Sequence, residues 1–253
     1  MGGEAAEGVA GADRRMLRTG CIHRPRPPAV QRLSTRVGAV LRQPRNWFVA
    51  CPADGNMLGN DTWGCCVPVA DYRFIETVLA NADGSPDWKP SLGAVLARYA
   101  AITGYPPPDY LPDAGTDTNV DLVAWTTGGI RLPEIQRDIV PAWCSVDPLR
   151  EDRIDRALSL APCLVSLNLP VDYGRIEIDP AAWQGVPVPA GIYHRVVLGA
   201  PRTVRTWGMD VVMSEAFWER CVVAVDFLGV RDALGVDDLD WDALMADMQA
   251  LAA

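Results

Sequence analysis

Gly59-Asn60-Asp61-Thr62-Trp63-Gly64-Cys65-Cys66-Val67-Pro68-Val69 is the stretch whose reading decides the fold. Its first half is turn-rich, with Gly59-Asn60 and Trp63-Gly64 as chain-reversal signals. Its second half opens a helix expected from Cys66 to about Leu79, with Val69, Ala70, Phe74, Val78 and Leu79 on one apolar side. Pro68 is tolerated there because the first-turn amides have no intrahelical partner. The helix therefore begins at a thiol. Unpaired amides and the helix dipole at that position favour a thiolate, and a nearby imidazolium favours it further. Asn60, six residues earlier across a glycine-containing turn, can aim an amide at a developing oxyanion, with the Cys66 backbone amide as second donor.

The base that such a thiol needs is 128 residues downstream. The chain has two histidines, and the one in its body is His194, in Gly191-Ile192-Tyr193-His194-Arg195-Val196-Val197-Leu198, where a strand is expected. Taken singly, each residue also has a plain packing reading. Cysteine is among the most buried residue types, and a histidine in an apolar strand serves packing as well as chemistry. Together, Cys66, His194 and Asn60 supply nucleophile, base and oxyanion donor. Metal binding is the weaker alternative, because adjacent cysteines hold one tetrahedral ion poorly and no CxxC pair accompanies them, so no metal is expected. Asp113, Gly115, Asp117 and Asn119 alternate like a calcium loop, but the twelfth position is Ala124 and a solvated turn is expected instead. Neither a GxxxxGK[ST] loop nor a GxGxxG fingerprint is present, and no cofactor is expected.

Working outward, residues 1–46 read as an extended arm that includes Arg24-Pro25-Arg26-Pro27-Pro28. A folded body is expected over 47–253. Its helical part, about 66–130, holds further helices capped by Ser91 and ended by Gly104, and from Val120 to Thr127 before Gly128-Gly129. Its β-rich part, about 136–230, has strand signals at 139–143, 163–169, 193–198, 204–207 and 221–227, with 186–189 as an edge segment. Helices are expected there from Asp147-Pro148 through Leu158 and near 214–219. A last helix, about 239–251, carries Leu239, Trp241, Leu244, Met245 and Met248 at helical spacing, a stripe read as core packing. Helices first and strands later make the class α+β.

Composition sets limits. Residues 1–48 hold nine arginines against Glu4, Glu7 and Asp13, a net of +6 on a chain whose total is −9, so the remainder carries −15. An acidic body is not a general nucleic-acid binder, and nucleic-acid contact is open only to the arm. The arm could equally meet an acidic face of a partner or of its own body. No apolar run is long enough to span a bilayer, and no signal peptide is expected. Seven cysteines without a pairing framework read as mostly free thiols.

These segments resemble the papain-like cysteine-peptidase superfamily, and in particular a divergent bacterial and phage branch with a Gly-Asn-Asp, two-residue gap, Gly, any residue, Cys signature, here Gly59 to Cys66. The resemblance covers about residues 47 to 235. It implies a helical lobe followed by an antiparallel β-barrel-like lobe, Cys66 as nucleophile, His194 as base at a strand opening, and Asn60 at the place of an oxyanion-hole glutamine. The family's Asn-Ser-Trp-Gly segment falls on Arg205-Thr206-Trp207-Gly208, so the asparagine that orients the imidazole is replaced by Arg205, which has no acceptor. Asp210 is a candidate substitute orienter.

The resemblance implies three functions. The first is a structural or accessory component of a phage or phage-like particle assembled in a bacterial cytoplasm, its arm of residues 1–46 contacting neighbouring protein subunits. The second is an active cysteine peptidase or amidase with a peptide substrate from the envelope or virion. The third is a non-catalytic module that binds a peptide or glycan.

Overall fold

The structure is a computed structural model describing residues 21–22, 44–82, 87–105, 113–133, 137–139, 141–170 and 180–230. The C-terminal helix expected over 239–251, and the arm apart from 21–22 and 44–46, lie outside the described residues.

In chain order the elements are β1 (Cys21–Ile22), α1 (Cys66–Asn81), α2 (Leu92–Thr103), β2 (Thr116–Asp117), α3 (Thr118–Gly128), β3 (Ile130–Leu132), β4 (Arg137–Ile139), β5 (Ala142–Val146), α4 (Glu151–Leu160), β6 (Cys163–Pro170), a 3-10 turn (Pro180–Gln184), β7 (Pro189–Ala200), β8 (Thr203–Thr206), β9 (Met209–Val212), α5 (Glu215–Cys221) and β10 (Val222–Gly229). The class is α+β, with helices leading and strands following. Six strands form one antiparallel sheet in the order β5-β10-β6-β7-β8-β9. The sheet is open among the described residues, since its outer strands β5 and β9 do not pair, and the expected barrel-like closure is not found.

The helices form where their ends are chemically marked. The Ser91 side chain accepts from the Ala94 amide, and Gly104 closes α2 in the left-handed conformation (φ 71°). Asp117 caps α3 through the Asn119 and Val120 amides, so the would-be calcium loop is a helix cap. One expected start is corrected. Asp147-Pro148 does not begin α4; Asp147 instead accepts from the Leu149 amide in a turn, and the helix starts at Glu151. The strand expected over 139–143 is split between β4 and β5, and β7 is longer than its apolar centre suggests.

α1 is buried on nearly every side, polar residues included. Buried charges persist only when paired. Arg73 meets Asp54 at 2.7 Å and Glu76 at 2.6 Å, and Arg98 of α2 bridges Asp71 (3.1 Å) and Asp121 of α3 (2.5 Å). Burial, then the neighbouring Asp121 charge, pushes the Asp71 carboxyl well above its ordinary range. These contacts fix α1 against α2 and α3, while its other side packs on β7.

β8 and β9 are joined by the two residues Trp207 and Gly208, at φ 43° and φ 75°. A two-residue hairpin of this hand needs a left-handed backbone at both positions. Gly208 also lies on the loop before α1: its carbonyl accepts from the Gly55 amide at 3.0 Å, and an added Cβ would fall 2.7 Å from the Gly55 oxygen and 2.8 Å from the Asn56 nitrogen. Gly208→Ala is therefore expected to lower stability by about 1–3 kcal/mol. Denaturant melts would show this as a lower midpoint, and an unchanged midpoint would mean that the two loops are not in contact.

Candidate active site

The loop entering α1 is held from outside. The Asp113 carboxylate accepts from the Gly64 amide at 2.7 Å, and the Tyr99 hydroxyl donates to its other oxygen. This brace sets the start of α1 and hence Cys66, its first residue. Cys65, the preceding residue, has no capping hydrogen bond from its side chain, and its thiol packs toward the Leu58 carbonyl at 4.0 Å. Burial, then the neighbouring Cys66, pushes the Cys65 thiol strongly up.

Cys66 is fully buried, in a small cluster with Val67, Cys21 of β1 and the partly buried Tyr193 of β7. Cys21 belongs to the arm. Its strand pairs in parallel with β2, with Cys21 opposite Thr116 and Ile22 opposite Asp117. The one described strand of the arm thus lies on the chain's own body, beside the candidate nucleophile.

His194 follows Tyr193 in β7 and is also fully buried. Its ring stacks on the Trp207 indole with centroids 4.1 Å apart and planes 9° from parallel. Nε2 lies 2.6 Å from the Thr206 hydroxyl, while Nδ1 is buried without a hydrogen-bond partner. Burial pushes the imidazole down to about 3, so His194 is neutral in this closed arrangement. Tyr193 and Arg195 project from one face of β7 and His194 from the other, so the thiol clustered at Tyr193 and the imidazole lie on opposite faces of the strand, and Nδ1 takes no hydrogen bond from the thiol.

The two doubtful residues of the motif take positions the sequence did not reveal. Arg205 is buried and points away from the imidazole. It binds both Asp210 oxygens at 2.7 and 2.9 Å, donates to the Cys51 sulfur (3.2 Å) and carbonyl, and lies over the Phe48 ring at 4.2 Å. Asp210, expected as a candidate orienter of His194, is engaged by Arg205, and the group on the imidazole is the Thr206 hydroxyl. Thr206 lies one residue after the asparagine position, where no local pattern marks it as the imidazole's partner.

Asn60 is buried, with its Oδ1 lacking a hydrogen-bond partner. It lines a cavity of about 10 Å³ together with Thr206, Trp207 and Gly208. That is barely the space of one water, and it admits no substrate group. The structure thus brings Asn60 beside the residues that hold His194, and Cys66 beside the residue preceding it. Among the described residues no group of three or more His, Cys, Asp and Glu is placed to hold a metal ion, and no helix is long and apolar enough to cross a membrane.

The protein-family models and the curated protein sequences give no match to this chain. A solved structure does. Xylellain, a cysteine protease from Xylella fastidiosa, superposes with a TM-score of 0.60 at 13% identity, over 88% of this chain and 99% of xylellain. At that identity the likeness shows the fold, which is papain-like.

The buried imidazole has a measurable consequence. His194 ionises at about 3 when folded, against 6.5 when unfolded. Between those values the unfolded chain takes up a proton that the folded chain refuses, so the cost is absent above about pH 6.5 and grows as pH falls toward 3. Relative to His194→Gln, which cannot protonate, the wild type is expected to lose about 3 kcal/mol on going from pH 6.5 to pH 4. Paired urea melts would read this difference, and parallel losses in the two proteins would contradict a buried neutral ring.

Proposed function

We propose that this chain is a thiol hydrolase acting on a peptide or amide carbonyl, and that the described form is closed, with its own β1 strand lying over the nucleophile. The observation that carries the reading is the state of His194. A fully buried imidazole with Nε2 on Thr206 and its face on Trp207, yet with Nδ1 lacking any partner, is poorly explained as packing. An unpaired buried nitrogen costs stability unless some state of the protein uses it. Cys66 packs at Tyr193, on the opposite face of β7 from His194, so the thiol meets Nδ1 only in an open form that brings the two together.

The chemistry follows from the positions. Lifting β1 from β2 uncovers Cys66, and in an open form in which the start of β7 also turns, the imidazole reaches water and the thiol, and the penalty on the charged ring falls. Nδ1 takes the Cys66 proton, and the imidazolium and thiolate stabilise each other at the start of α1. The thiolate adds to a carbonyl carbon. The oxygen that becomes negative is met by the Asn60 side-chain amide and the Cys66 backbone amide. The carbon–nitrogen bond breaks as the imidazolium returns its proton to the leaving amine, and water hydrolyses the thioester. In the closed form the Thr206 hydroxyl holds the ring at Nε2, the part that Asp210 was expected to play.

The assembly role expected for the arm, with its setting in a phage-like particle, finds no specific support in the described residues, since Cys21–Ile22 lies on this chain's own Thr116–Asp117.

Iodoacetamide labelling of Cys66, read by peptide mass spectrometry, tests the proposal. Ile22→Pro, which removes a backbone donor from the two-residue strand, is expected to raise the labelling rate at least about tenfold. Adding His194→Ala should bring the rate back to that of an ordinary thiol. A rapid rate that survives His194→Ala would exclude His194 as the base.

A further inference from the structure

We propose that the cleft between α4 and α5 is a docking site for a basic peptide segment of another protein, one that carries an arginine or lysine two positions from a bulky apolar residue. The inference goes beyond the hydrolase reading and uses neither Cys66 nor His194.

Two adjoining depressions make the cleft. One, of about 400 Å³, has an apolar wall that includes Ile154, Val212, Met213 and Trp218, with Asp155 beside them. The other, of about 330 Å³, is lined mainly by charged side chains, among them Glu215 and Glu219 of α5. Glu151, Arg202 and Trp218 line both. Trp218 is buried, and its indole Nε1 donates to the Pro148 carbonyl at 2.8 Å, which ties α5 to the turn before α4 and fixes the wall that the two depressions share. Val212, in contrast, is 54% exposed, so the apolar depression opens to solvent through a side chain that gains from being covered.

Charge selects the guest. Five carboxylates and two guanidiniums line the cleft. Both guanidiniums are already taken, Arg150 by Asp152 at 2.9 Å and Arg202 by Glu151. Asp155, Glu215 and Glu219 have no ion pair among the described residues. Arg220, next to Glu219, donates instead to the Pro187 carbonyl. Glu215 and Glu219 are four positions apart on one helix, so their like charges meet along one side of α5, a repulsion that a bound cation relieves. The carboxylates are not grouped to hold a metal ion, and the adjoining apolar wall calls for a guest with an apolar part as well. An extended peptide meets both needs. Its alternate side chains point the same way, roughly 7 Å apart, so one segment offers an apolar group to Ile154 and Met213 and a cation to Glu215 and Glu219 from a single face.

The test is calorimetric titration of the full-length protein with the synthetic peptide acetyl-Gly-Leu-Gly-Arg-Gly-Arg-amide at low salt. Saturable binding is expected, with a shift of the Trp218 indole N–H signal in parallel NMR spectra. The double variant Glu215→Gln/Glu219→Gln should weaken binding about fivefold. Val212→Arg, at an exposed position that the fold does not need, should weaken it at least about fivefold by setting a cation against the cationic peptide. Replacing the peptide's leucine by glycine should weaken binding to the wild type, and added salt should do the same. No saturable binding, or binding that neither variant alters, overturns the proposal. Two other occupants of the cleft give results of their own, and either would also overturn it. If the wild type binds no peptide but Arg36→Gln/Arg42→Gln does, the chain's own basic stretch fills the cleft. If the wild type self-associates as its concentration rises and Glu215→Gln/Glu219→Gln does not, a second copy fills it.

Discussion

The stack of His194 on Trp207 is the contact on which the rest of the site depends. It sets the ring plane, leaves Nε2 to the Thr206 hydroxyl and turns Nδ1 inward. Trp207 can occupy that place because it takes a left-handed backbone conformation beside Gly208, which costs on the order of 1 kcal/mol for a non-glycine residue. The hairpin holding it is pressed against Gly55 on the loop that leads toward Cys66. One two-residue turn therefore couples the imidazole to the segment carrying the thiol.

Burial governs the electrical state of this centre. In water an imidazole and a thiol can exchange a proton near neutrality. Sealed in the interior the ring is neutral, and with Cys66 on the other face of β7 no ion pair is formed. Arg205 does not disturb the imidazole because it is itself ion-paired. Its charge is neutralised by Asp210 and its remaining donors are taken by Cys51, so a cation at the asparagine position serves the scaffold.

Much of this was legible in the sequence, for identifiable reasons. Helix starts with a polar cap, such as Ser91 and Asp117, and apolar strands such as 163–169 announce themselves through local chemistry. The nucleophile segment was readable because turn glycines, a helix start and a thiol coincide in a few residues. What stayed hidden depends on contacts between distant segments. The hydroxyl of Thr206 has no local mark of its role, and the partnership of Arg205 with Cys51 spans 154 positions. Asp147-Pro148 shows the reverse failure, a local helix-start signal that the chain uses for a turn. The parallel pairing of Cys21–Ile22 with Thr116–Asp117 was invisible because two residues carry no periodicity.

The most direct test of the closed, neutral centre is the charge on His194 itself, read from its ring ¹⁵N chemical shifts across pH. In the full-length reduced protein the ring is expected to remain neutral throughout the neutral range. In a chain lacking residues 1–43, a His194 imidazolium should appear near neutral pH and vanish in Cys66→Ser. An identical titration with and without the arm, or an imidazolium that persists without Cys66, would contradict the account.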